Sequence, residues 1–381
     1  MIAQQVSKKG ITIQAIKNRL WKILMYVCIL YNFHRYIFKY SHGGYPKDGY
    51  QQTPLTWQIG KFVILGVILI VIYVLSDFDK KIKKSIVIFY FFIFLILSIN
   101  ILSGLIYKSF STDEIEYCIY TIMLLPMGIM TKVEIESLAC EFKKSMYNCQ
   151  LIIIISNWII IYNYYVNKVL PFHAYEGVLI RFGGFWDDPN TLAIFSAFLF
   201  GYAIINKQYL WALFNVINIV LSISFGGYIL LFVIGIYLLV KSSISLKRKA
   251  LILILCFSSL IVVLIYSADF ISAIYDAKRE SVSEHTTVDL LLSPVPLINP
   301  IQFHETWFIS LNVNYFPFSI LIDSFIIFLL MKALLSKVIS LQYILIIIFC
   351  VASIFLPFLY MFPINFVSLI LLIFYLREVY L

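Results

Sequence analysis

The sequence predicts an all-α integral membrane protein with about twelve transmembrane helices. Three observations carry that reading. The 381-residue chain is 62% hydrophobic with a mean hydropathy of +0.93. Only 13% of its residues are charged. Apolar runs near the roughly 20 residues that cross a bilayer recur from one end to the other. A soluble fold of this length has no interior large enough for so many apolar runs, so secreted, cytoplasmic and nucleic-acid-binding readings fall together. Residues 1–381 read as a single polytopic domain.

In chain order, apolar length and loop punctuation place spans near 21–38, 59–76, 85–106, 117–131, 149–166, 189–205, 209–224, 227–240, 250–266, 305–331, 341–356 and 361–376. The first follows a basic stretch (Lys8, Lys9, Lys17, Arg19, Lys22) with no small-residue cleavage site after it, so it stays as a helix. The long apolar run 209–240 is divided at Phe225-Gly226-Gly227, because an undivided helix would overshoot the bilayer. One kinked helix is the alternative, since glycine is common in membrane helices. The longest cytoplasmic connection is a loop over 132–148, and no phosphate-binding nucleotide motif is present.

Orientation follows from charge. With the N-terminus in the cytoplasm, 20 of the 29 Lys and Arg fall inside, and the C-terminus returns to the same side. The net charge of +9 therefore reports topology rather than a nucleic-acid partner. The six cysteines include no C-x-x-C pair and imply neither a metal site nor a disulfide framework.

Two outer connections, 167–188 and 267–304, exceed what topology requires, and such loops are where function gathers. The first contains Arg181-Phe-Gly183-Gly184-Phe-Trp-Asp-Asp188-Pro189-Asn190. Asp188 suits a helix N-cap and Pro189 a first-turn position. The amides of that turn, left free, attract phosphate; alone, the same residues simply start a helix. The second loop carries Lys278 and Arg279 and closes on His304-Glu305-Thr306-Trp307. A guanidinium fork matches pyrophosphate oxygens, and a histidine near neutral pKa accepts a hydroxyl proton with a carboxylate to orient it. The plainer readings are a solvated basic pair at the headgroups and an interfacial helix start. Asp77-Phe78-Asp79, the nearest approach to a metal-binding Asp-x-Asp, lies beside four inner lysines and reads as a solvated charged turn.

At these residues the chain resembles the bacterial O-antigen polymerase and O-antigen ligase superfamily. The resemblance rests on an outer-loop arginine and glycine before a Pro-Asn helix start, and on a late outer loop bearing an arginine and ending in a histidine. It covers about residues 150–331. It implies a GT-C-like membrane glycosyltransferase acting on undecaprenyl-pyrophosphate-linked glycans at the outer face of the bacterial plasma (inner) membrane, with no metal or other cofactor. By position, Arg181 and Arg279 would hold the pyrophosphate with Lys278, Gly183, Gly184 and Asn190 beside them. His304, with Glu305, would activate the acceptor hydroxyl. Many members carry an arginine where this chain has Phe225, which leaves one phosphate contact unassigned.

The first expectation is therefore a polymerase for O-antigen or capsule-type polysaccharide, moving a growing glycan from one lipid pyrophosphate to a lipid-linked repeat unit. Its partners would be that donor and acceptor, membrane lipid and a chain-length regulator protein, and no nucleic acid. A ligase delivering the glycan to lipid A core shares the chemistry. A flippase or transporter of lipid-linked oligosaccharide is the reading from another class; Asp323, deep in a span, is its clearest candidate residue.

Overall fold

The computed structural model describes residues 2–31, 55–108, 112–167, 173–175, 179–186, 188–251, 253–254, 307–315, 317–355 and 362–381. Its helices are α1 Ile2–Leu30, α2 Leu55–Val74, α3 Lys84–Tyr107, α4 Thr112–Ile129, α5 Lys132–Asn167, α6 Pro189–Ile205, α7 Tyr209–Ser222, α8 Phe225–Lys241, α9 Trp307–Asn314, α10 Ser319–Leu335, α11 Leu341–Phe355 and α12 Ile364–Leu376. Between α5 and α6 lie two antiparallel three-residue strands, β1 His173–Tyr175 and β2 Leu179–Arg181, and a single 3-10 turn, Gly184–Trp186. This almost wholly helical architecture is that expected of a helical membrane protein. Two helices, α3 and α5, are by themselves long and apolar enough to cross a bilayer, and shorter apolar helices of 10–17 residues accompany them.

The interior is built around α6 and α12. Nearly every residue of both is buried, as expected of helices that are apolar on all sides. α6 packs on α7 and α8, α11 bridges α6, α8 and α10, and α12 leans on α4. Without a hydrophobic drive between helices in lipid, close van der Waals approach must hold such contacts. Glycine permits it: a Cβ on Gly227 of α8 would stand 2.6 Å from the Cβ of Ala193 on α6. The outward sides carry the apolar surface, for example Phe91, Phe94 and Leu105 on α3.

Three expectations change. Residues 132–148 are not a loop: they are the first half of the 36-residue α5. Their charged face hides the helix from an apolar-length criterion, and that face pairs with α1 through Lys17 to Glu134 and Lys22 to Glu141. The span 305–331 is not continuous, because the helix stops at Asn314 and resumes at Ser319, around Pro317, whose ring cannot continue an α-helix. The division of 209–240 stands, but at Ile223 and Ser224, with Gly226 and Gly227 inside α8. Of the first span, residues 32–38 lie outside the described residues, as does most of 250–266.

The contacts between separate connections join segments that the expected path assigns to one side. Among segments that path assigns to the inner side, Arg377 bonds Asp79, Lys83 bonds Glu378, and Lys241 donates to the carbonyls of Leu334 and Ser336 at the end of α10. Between α2 and α4, Lys61 pairs with Glu116.

Candidate functional site

Arg181 closes β2, with its strand partner at His173, and is buried where three helix ends meet. Its Nε donates to the Ser222 carbonyl, the last residue of α7, at 3.0 Å. Its Nη2 donates to Asn190 Oδ1 in the first turn of α6 at 3.2 Å. Ser224, the N-cap of α8, donates its hydroxyl to that same Asn190 oxygen at 2.8 Å. A cation beside the C-terminal carbonyls of α7 lies at the negative end of that helix. The junction is tied to the loop as well, since Phe182 N donates to the Leu221 carbonyl.

The loop that brings Arg181 there needs local geometry that the sequence supplies. Gly184 sits at φ +60, open to glycine without strain, beside Leu192 and Asn157. Gly183 is buried next to it. Trp186 is buried and its indole donates to the Ile29 carbonyl of α1 at 3.2 Å, which pins the 3-10 turn to the N-terminal helix. Between α7 and α8, Ile223 adopts φ 46. A β-branched residue in that left-handed region is strained, at a cost of about 1–3 kcal/mol.

The start of α6 behaves as expected in one respect and not in another. Asp188 is the N-cap and Pro189 opens the helix. The first-turn amides, however, are not free for a ligand: the Asp188 carboxylate accepts from Asn190 N at 3.0 Å and Thr191 N at 3.1 Å. The chain's own anion occupies that helix end. At α8, Ser224 Oγ accepts only from Gly227 N, leaving the Phe225 and Gly226 amides without a bond among the described residues. Phe225, where the resembling family often has arginine, is exposed on the outside of the bundle.

The structure therefore brings Arg181, Gly183, Gly184 and Asn190 together. Lys278, Arg279, His304 and Glu305 lie outside the described residues; α9 begins at Trp307, three residues after His304. Two groups escaped sequence reasoning. Below the Arg181 junction, buried amides join α5 to α7: Asn157 donates to Asn218 at 2.7 Å and Asn215 donates to Gln150 at 3.0 Å. The spacing of Gln150 and Asn157, seven apart on one helix face, was the available signal. Between α2 and α4, Lys61 bonds Glu116 at 2.7 Å, Tyr120 donates to the same carboxylate oxygen at 2.8 Å, and the Lys61 ammonium stands 4.8 Å from the Phe362 ring. No local pattern announces a pair 55 residues apart.

Among the described residues no group of three or more His, Cys, Asp and Glu is placed to hold a metal ion, and Cys28, Cys118, Cys140, Cys149 and Cys350 are free thiols. No family model, no curated protein and no solved structure matches this chain, so its functional reading rests on sequence pattern and geometry.

Proposed function

We propose that the chain is a multispanning membrane glycosyltransferase of the polysaccharide-polymerase kind. It would act at the outer face of a bacterial plasma membrane with both termini in the cytoplasm. The acceptor hydroxyl of a lipid-linked repeat unit attacks the anomeric carbon of the donor glycan. The hydroxyl proton passes to His304, with Glu305 orienting the imidazole, and the bond to undecaprenyl pyrophosphate breaks. Charge growing on the departing diphosphate is met by Arg279, Lys278 and Arg181.

The observation that carries this reading is the position of Arg181, a guanidinium fixed by the starts of α6 and α8 and the end of α7. Those bonds hold the positive charge in place before any charge develops on the departing diphosphate, so no reorganisation is needed as it grows. The test is chain lengthening of lipid-linked repeat units by the purified protein in liposomes. Arg279→Ala and His304→Ala should each abolish lengthening while the protein accumulates normally. Arg181→Lys should also fail, because an ammonium does not reproduce the fork. If both alanine variants still build long chains, the assignment is wrong. Product on lipid A core rather than on repeat units would mark the ligase form of the same chemistry.

One observation favours a carrier instead. The break between α9 and α10 lies inside an apolar stretch, and Asn312 before it hydrogen-bonds Asp323 after it. Broken helices with paired polar groups are the usual substrate sites of transporters. Movement of a labelled lipid-linked glycan across liposomes without lengthening, lost in Asp323→Asn, would select that reading.

A further inference from the structure

At the face opposite the Arg181 junction, a cavity of about 440 Å³ is lined by Asp79, Lys80, Lys81, Lys83, Lys132 and Arg377. It gathers residues from three distant places: the turn between α2 and α3, the first residue of α5, and the residue that ends α12. The frame is rigid. Phe78 and Met130 form an antiparallel bridge, Asp79 N donates to the Ile129 carbonyl, and Thr131 N donates to the Asp77 carbonyl. The Asp77-Phe78-Asp79 turn is therefore structural rather than freely solvated.

Arg377 is the buried wall of this cavity, 5% exposed. One nitrogen, Nη2, makes both of its side-chain bonds, to Asp79 Oδ2 and to the Met130 carbonyl, each at 2.6 Å. Its Nε and Nη1 donors carry no bond among the described residues, at a group that lines the cavity. Two lysines are engaged elsewhere, Lys83 with Glu378 at 2.9 Å and Lys132 with Glu136 at 3.7 Å. Lys80 and Lys81 are exposed and have no acidic partner among the described residues. The lining thus holds five cations against one carboxylate, with unused donors both on its wall and at its rim.

We infer that this cavity binds the phosphate headgroup of an anionic phospholipid from the leaflet at that face. A basic recess between helix ends at the membrane surface meets anionic headgroups at high local concentration, and each lysine near such a surface adds to the attraction. A buried guanidinium with free N–H groups adds a directional phosphate contact that scattered surface lysines lack. The inference needs the membrane reading of the chain but not its glycosyl-transfer chemistry.

The test uses the full chain in a neutral detergent. Phosphatidylglycerol or phosphatidylcholine is added, and lipid retention is followed by native mass spectrometry and stability by melting temperature. Phosphatidylglycerol should be retained and raise the melting temperature, phosphatidylcholine should do neither, and salt should weaken the effect. Lys80→Ala with Lys81→Ala, both exposed and outside the core, should melt as the parent does without lipid. That pair should bind phosphatidylglycerol at least tenfold more weakly. Lys247→Ala with Arg248→Ala, on the connection after α8, should leave binding unchanged. Equal retention of the two lipids overturns the inference, as does full binding by the Lys80 and Lys81 pair or an equal loss in the Lys247 and Arg248 pair. Inorganic phosphate alone stabilising the protein as much as phosphatidylglycerol would assign the cavity to a soluble anion and overturn the lipid.

Discussion

The early and the later part of α5 are joined to their neighbours by different chemistry. Within its first ten residues the contacts are ionic, Lys17 with Glu134 and Lys22 and Lys144 with Glu141, and just before it Arg377 bonds Asp79 and the Met130 carbonyl. Midway along α5 and α7 they are neutral amides, Gln150 with Asn215 and Asn157 with Asn218. The contrast follows from depth. A charged side chain at a bilayer centre costs about 2.5–3.5 kcal/mol on insertion scales, whereas an amide pair costs less and still contributes roughly 0.6 kcal/mol to association. Charges therefore stay paired along the polar first third of α5, several of them buried, and amides hold its apolar remainder.

Breaking one pair of each kind tests the contrast most directly. Arg377→Ala should have the largest effect, because it removes the partner of Asp79 and of a buried carbonyl at once. A loss of about 3 kcal/mol is expected in denaturant unfolding in detergent. Next comes Gly227→Ala, which leaves every polar contact in place and tests packing alone. Its new methyl meets Ala193 at 2.6 Å and should cost about 2 kcal/mol, with recovery when Ala193→Gly is added. Asn157→Ala should cost only about 1 kcal/mol, and Asn157→Leu combined with Asn218→Leu should restore part of it. A loss there as large as that of Arg377→Ala would end the distinction between ionic and amide contacts.

The smallest effect concerns pH. The Lys83 ammonium, hydrogen-bonded to Glu378, holds that carboxyl below its ordinary value. A carboxyl lowered in the folded state adds stability above its unfolded pKa of about 4.3, and that share is lost as pH falls through the lower folded value. Glu378 is largely exposed, so the share is about a few tenths of a kcal/mol. Lys83→Ala should flatten the melting temperature profile between neutral and acid pH by that amount and no more.

The sequence made the apolar helices readable because length and hydropathy suffice for them, and Asp188-Pro189 marked the start of α6 through cap chemistry alone. The first half of α5 was hidden because its polarity is that of a loop, and only Lys17 and Lys22, more than a hundred residues earlier, reveal which face is covered. Pro317 did signal the break before α10, against an apolar run that argued for continuity. At the site, Arg181 and Gly184 were legible as unusual residues in an outer loop. Their partners were not, since the Ser222 carbonyl and Ser224 reach the junction only through the left-handed turn at Ile223.

The length of α5 has a practical side. Thirty-six residues make a rod of about 54 Å, against a hydrocarbon layer of about 30 Å. The surplus, braced along α1, forms a stiff mast on a 44.3 kDa particle. A rigid domain held in register with that mast would give image alignment a fiducial.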